Sequence, residues 1–233
     1  MSAAAPAALR ALLTEKFPGA VPLPLPEHRR SVFPTGLPSL DRILPNGGLP
    51  RGRITVWQSP MGGGTAILRS AVAESLGRGE RVAWVDGARS IGPHWTTGPL
   101  VIRPHTEDLA RKATEILLRC GGFALVVLTG LELDSGAMLR LSRMVHEGGG
   151  AFVALTAAHH TAMLRLTARF LPDRIRTASG PFGEIAMIEQ TTIRIEARSP
   201  GWNAHTLLHL PARHHDLRLP FEPNLADRRG NVD

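Results

Sequence analysis

One cysteine, two lysines, no tyrosine and no apolar run of membrane-spanning length set the outer limits on this chain of 233 residues. The lone thiol, Cys120, excludes an intrachain disulfide framework and fits a reducing compartment, so a cytoplasmic protein is expected. A membrane helix needs roughly 18 or more consecutive apolar residues, and no such stretch is present. Met1 to Ala8 is rich in small residues but lacks the basic segment leading into an apolar one that marks a secretory signal. Because Lys16 and Lys112 are the only lysines, the basic complement is almost entirely arginine.

What is present is the composition of a globular domain: 43% hydrophobic and 20% charged residues, at a length that suits one α/β domain with a full core. The formal net charge is +7. Seven basic residues stand against three acidic ones in 1–60, ten against nine in 61–160, and ten against eight in 161–233. Arginine suits bidentate contact with phosphate, but a dedicated nucleic-acid track needs its basic residues gathered on one face. The densest basic run in the body, Arg165, Arg169, Arg174 and Arg176, fits either contact with DNA phosphates or a solvated helix end.

The pattern along the chain divides it into an N-terminal helical arm and Pro-rich linker at 1–30, a core at 31–210 and a tail at 211–233. In the arm, Leu9, Leu12, Leu13 and Phe17 recur at helical spacing before Pro18, Pro22, Pro24 and Pro26 break the helix. In the core, apolar strands at 54–58, 82–85, 100–102, 124–128 and 152–156 alternate with amphipathic helices at 67–76, 107–120 and 135–147. Such alternation predicts an α/β protein with a mainly parallel sheet covered on both faces. The helix at 135–147 carries Met138, Leu139, Leu141, Met144 and Val145 as a stripe for the sheet, with Arg140 and Arg143 outward. Past residue 171 the residues alternate at 185–188, 191–197 and 205–210, which predicts antiparallel additions at one edge.

Residues 53–68 read as strand, Gly-rich turn and helix, the layout of a phosphate-binding loop. Set on G-x-x-x-x-G-K-[ST], the frame runs from Ser59 to Ala66, so Thr65 takes the lysine position and Ala66 that of the metal-binding hydroxyl. A lysine reaches the β- and γ-phosphates and the hydroxyl ligates magnesium, so productive ATP binding is not expected. Gly62, Gly63 and Gly64 remain. They either form an anion-attracting nest of N–H groups or simply permit a tight turn.

Phe33-Pro34-Thr35-Gly36-Leu37-Pro38-Ser39-Leu40-Asp41, followed by Gly47-Gly48-Leu49-Pro50-Arg51-Gly52-Arg53-Ile54, resembles the opening of the RecA core. The resemblance continues through residues 82–86, 100–120 and 124–128 and implies a three-layer RecA-like core. It also implies two further losses. The family's catalytic glutamate falls on Ala88, two positions after Asp86, and its Walker B aspartate falls on Leu128. The connections that hold DNA in the recombinases correspond to 130–136 and 157–164, both short and poorly basic. Together these features resemble the ImuA group of RecA-like accessory proteins, encoded with a translesion polymerase homologue. The resemblance implies a noncatalytic protein of DNA-damage tolerance whose partners are a polymerase-like protein and the recombinase RecA.

SulA-type division inhibitors belong to the same superfamily and stand as the alternative, as does a RecA-like ATPase with a noncanonical nucleotide site. Recombinase arms pack on neighbouring subunits, which nominates Leu9, Leu12, Leu13 and Phe17 as partner contacts. In the tail, Asp216-Leu217-Arg218-Leu219-Pro220-Phe221 resembles a sliding-clamp docking peptide with Asp216 in place of glutamine. Leu217, Leu219 and Phe221 would either dock on a clamp or cover an apolar patch. The histidines at 159–160, 205, 209 and 214–215 lack the cysteine or regularly spaced acids of a metal site, and no nucleophile elbow is present. No metal, cofactor or catalytic residue is therefore expected.

Overall fold

The structure, a computed structural model, describes residues 32–60, 62–91, 98–156, 162–179, 182 and 185–211. Strands β3 (Ile54–Gln58), β4 (Val82–Asp86), β6 (Leu125–Thr129) and β7 (Ala151–Leu155) are buried along nearly their whole length. Their unbroken apolar runs suit a sheet covered on both faces. With β5 (Leu100–Ile102) and β8 (Leu164–Phe170) they pair in parallel in the order β8-β3-β7-β6-β4-β5.

The chain then turns antiparallel. A 3-10 turn at Pro172–Arg174 leads into β9 (Arg176–Ser179), β10 (Ile185–Ser199) and β11 (Trp202–Pro211), which extend the sheet beyond β8 to nine strands among the described residues.

Helices close both faces. Leu40 and Leu44, on and just after α1 (Pro38–Ile43), and Ile67, Leu68 and Val72 of α2 (Gly64–Gly77) pack with Trp57, Leu166, Ile193 and Ile195. On the other face, Leu117 and Leu118 of α3 (Glu107–Arg119) and Met138, Leu141 and Val145 of α4 (Ser135–Gly148) pack with Val56, Val85, Val126 and Leu128. No helix among the described residues is long and apolar enough to cross a membrane.

The opening motif acts as a clasp. Asp41 accepts hydrogen bonds from the Thr35 amide at 2.9 Å, the Thr35 hydroxyl at 2.7 Å and the Gly36 amide at 3.2 Å. Gly36 sits at φ +72°, and a Cβ there would lie 2.7 Å from the Glu74 Cβ on α2, so only glycine lets the two segments touch. The short strands β1 (Val32–Phe33) and β2 (Leu49–Pro50) pair, and Phe33 and Leu49 bury their side chains fully. Arg51 then ties this hairpin to the body. Its guanidinium binds Glu80 at 2.9 Å, the Val32 carbonyl at 3.3 Å and the Ala124 carbonyl at 3.2 Å, and lies 5.4 Å from the Phe33 ring centroid.

Several expectations need correction. Arg165 and Arg169 lie on strand β8 rather than at a helix end, because Leu164, Leu166 and Ala168 alternate with them and point into the core. Strands expected at 185–188 and 191–197 form one continuous β10. Leu139 does not join the α4 stripe: it is 62% exposed while Met138, Leu141, Met144 and Val145 are buried. The arm at 1–30 and all but the first residue of the tail lie outside the described residues.

Two outcomes follow for stability. Arg51→Met should lower unfolding free energy by about 2 kcal/mol in urea titrations, since it strands the Val32 and Ala124 carbonyls while Glu80 keeps its 3.0 Å contact with Arg78. Asp134 caps α4 by accepting from the Ala137 amide at 2.6 Å, and that bond, aided by Arg111 and Arg140, holds its carboxyl below the ordinary 3.8. A depressed folded-state value stabilises fully above the ordinary pKa and is lost as pH falls through the folded one. Asp134→Asn should therefore keep the cap yet remove that contribution to the acid limb of the stability–pH curve.

Candidate functional site

In an open α/β sheet, ligands bind beyond the carboxyl ends of the strands where chain direction switches. Here β3 is flanked by β7 and β8, whereas the next strand, β4, lies beyond β7 and β6. A cavity of about 640 Å³ opens at that point, between the turn after β3 and the ends of β6 and β7.

The turn from β3 into α2 is built on left-handed backbone. Gly62 lies at φ +79° and Gly63 at φ +90°, both unfavourable for other residues. A Cβ on Gly63 would also meet the Ile193 side chain at 2.7 Å. The glycines are thus demanded by the turn itself, whether or not an anion binds over it. Gly64 opens α2, Thr65 lines the cavity and Ala66 is exposed. Beneath the loop, the Trp57 indole N–H and the Ser59 hydroxyl are buried with no hydrogen-bond partner among the described residues.

Across the cavity, Asp86 is fully buried and engaged. Its carboxylate accepts from the Ser90 amide at 2.8 Å, the Ser90 hydroxyl at 2.9 Å, the Ile91 amide at 3.0 Å and the Thr129 hydroxyl at 3.1 Å. It brackets the connection after β4 and leaves little capacity for a ligand. Ala88 lines the cavity at the position assigned to the catalytic glutamate, and Leu128 is buried among the α3 and α4 side chains.

Sequence reasoning missed the cavity's two carboxylates. Glu107, at the first turn of α3, and Glu132, after β6, both line it, and Glu132 accepts from the Thr156 hydroxyl at 3.1 Å. No lysine or arginine lines the cavity among the described residues. It therefore offers hydroxyls, an amide and two acids where a triphosphate would need cations.

The other expected site residues fall elsewhere. Leu9, Leu12, Leu13, Phe17, Leu217, Leu219 and Phe221 lie outside the described residues. Arg165 and Arg169 stand on one face of β8, Arg174 ends the 3-10 turn and Arg176 opens β9. These four belong to the antiparallel edge, not to the cavity. His205 and His209 do share a face of β11.

No protein-family model matches the chain. In overall structure it is similar to the RadB recombinase, with a TM-score of 0.55 and 16% identity, over 78% of this chain and 96% of that one. The chain carries a RecA-like fold. In sequence it is 33% identical over 142 residues to the RecA protein of Symbiobacterium thermophilum, which is 58% of this chain and 39% of that protein. Identity to the RecA protein of Mycobacterium leprae is 32% over 143 residues, or 58% and 20% of the two chains. The chain thus spans well under half of the RecA proteins it matches.

Removing the Asp86 acceptor would strand two buried donors, the Ile91 amide and the Thr129 hydroxyl, and would release the exposed Ser90. Asp86→Ala is expected to cost about 3 kcal/mol or more in equilibrium unfolding, with Ser90→Ala costing far less because Asp86 keeps its other donors.

Proposed function

We propose that this chain is a noncatalytic RecA-like accessory protein of DNA-damage-induced translesion synthesis, acting by binding a polymerase-like protein, the recombinase RecA, or both. The observation that carries the noncatalytic reading is the electrostatic character of the crevice. Phosphoryl transfer relies on a cation at the phosphates, a liganded magnesium and a carboxylate or amide that orients water. At the corresponding places stand Thr65, Ala66, Ala88 and Leu128, and the acids that do line the cavity, Glu107 and Glu132, oppose a triphosphate. The link to translesion synthesis rests on the resemblance of residues 33–54 and of the degenerate motifs to the ImuA group. Protein contact is assigned to the arm residues Leu9, Leu12, Leu13 and Phe17, with Leu217, Leu219 and Phe221 as a second contact suited to a sliding clamp.

One observation favours a second reading, an ATPase with a noncanonical site. The unspent donors of Trp57 and Ser59 beneath a helix N-terminus suit an anion, provided a neighbouring chain supplies the missing cation.

Recovery of a tagged copy from DNA-damaged cells of its host, with nuclease present, should co-purify a polymerase-like protein or RecA. The tubulin-like division protein alone in the eluate would instead support the division-inhibitor class. In the same assay Leu12→Asp combined with Leu13→Asp should abolish partner recovery and leave the melting temperature nearly unchanged. Collapse of the fold would mean that the arm packs on its own core.

A further inference from the structure

The antiparallel edge gathers on one face the arginines that the sequence scatters. Along β10, Gln190, Arg194, Glu196 and Arg198 point away from the core, while Ile193, Ile195 and Ala197 point into it; Thr192, on the outer side by alternation, is buried and bonds the Arg174 carbonyl and His209. Register places Arg169 of β8 opposite Arg194, and Arg165 opposite Arg198. Arg176 of β9 lies opposite Gln190, with Arg174 beside it around the same hollow as Thr192 and His209. On the other flank His205 lies opposite Glu196, and His209 opposite Thr192. Among the described residues, six arginines and two histidines thus share this face with one glutamate.

That glutamate is already divided between two neighbours: Glu196 contacts Arg194 at 3.3 Å and Arg198 at 3.2 Å. Among the described residues, Arg165, Arg169, Arg174 and Arg176 have no carboxylate partner. All these arginines except the half-buried Arg165 are exposed. Like charges directly opposite across strands destabilise a sheet, and this sheet holds two such pairs four residues apart, with Glu196 between them. A polyanion laid across the face would relieve that repulsion.

We infer that the outer face of β8, β9, β10 and β11 is a second site, one that binds the sugar-phosphate backbone of nucleic acid without nucleotide. The pattern fits phosphate better than an acidic protein surface. A protein interface centres on an apolar core, and at the middle of this face only Leu207, half-buried, is apolar. The guanidinium fork matches phosphate oxygens bidentately. Arg194 and Arg198 are separated by about 14 Å along the strand, and their β8 partners by about 4.8 Å across it. This is a grid that meets several successive phosphates at once. No Phe or Trp of strands β8 to β11 stands on this face, whose rings are His205 and His209, so binding should depend little on base sequence and steeply on salt. Neither the crevice nor the polymerase-like partner takes part.

The test is fluorescence anisotropy of labelled 30-nucleotide single strands and 30-base-pair duplexes with the full-length protein, titrated against salt without nucleotide. Arg169→Ala, Arg194→Ala and Arg198→Ala combined should weaken binding at least tenfold at low salt. The slope of log K on log salt should shrink by about 2 to 3 on duplex DNA, roughly 0.9 for each phosphate that is no longer neutralised. Arg174→Ala with Arg176→Ala, which leaves the β8–β10 pairing untouched, should weaken binding in the same sense. Arg140→Ala with Arg143→Ala, on α4, should stay within twofold of the parent. The melting temperature of the triple variant should stay close to the parent's, because the lost contacts of Arg194 and Arg198 with Glu196 offset the like-charge pairs removed. No binding by the parent protein, an unchanged salt slope in both face variants, or binding to polyglutamate but not to DNA would each overturn the inference.

Discussion

The turn from β3 into α2 can be made only where two successive residues accept left-handed backbone, and the architecture depends on Gly62 and Gly63 meeting that demand. Through it α2 lies back on the sheet and buries Ile67, Leu68 and Val72 against Trp57, Leu166 and Ile195. Ile193 of β10 presses on the same turn, so the parallel centre and the antiparallel edge are locked together at one point. Sterics alone thus account for glycines in a loop whose lysine and metal-binding hydroxyl positions hold Thr65 and Ala66.

Charge is distributed in two opposite ways across the described residues. Among those residues the crevice holds Glu107 and Glu132 and no lysine or arginine, whereas the outer face of the antiparallel edge holds six arginines and one glutamate. An acidic crevice disfavours a triphosphate, and an arginine grid favours phosphates arranged along a chain. On the proposed reading, the fold serves as a scaffold that presents surfaces rather than as a container for nucleotide. Asp86 illustrates the shift: its carboxylate is fully occupied by the Ser90 and Ile91 amides and by two hydroxyls.

The parallel centre was legible because strands buried on both faces appear as unbroken apolar runs, as in Leu125 to Leu128, separated by helices with clear caps such as Thr106 and Asp134. β8 was hidden by an ambiguity of period. Arg165 and Arg169 are four apart, which fits a helix face, yet Leu164, Leu166 and Ala168 alternate with them as a half-buried strand requires. β10 was read as two pieces because polar Glu189 and Gln190 interrupt it near the register shifts in its pairing with β9. In the crevice, Thr65 and Ala88 could be placed from the motif frame alone. Glu107 and Glu132 could not, since they follow different strands and only the sheet brings them together. For the same reason, Arg194 and Arg198 could not be assigned to the face of Arg165 and Arg169 before the register was known.

The central claim, a RecA-like fold that works without nucleotide, is tested most directly by isothermal titration of magnesium-ATP into the full-length protein. Functional nucleotide sites saturate in the range of about 1 µM to 1 mM. No saturable heat is expected across that range, with or without DNA present. A saturating isotherm with one-to-one stoichiometry would contradict the claim and restore the crevice as a nucleotide site.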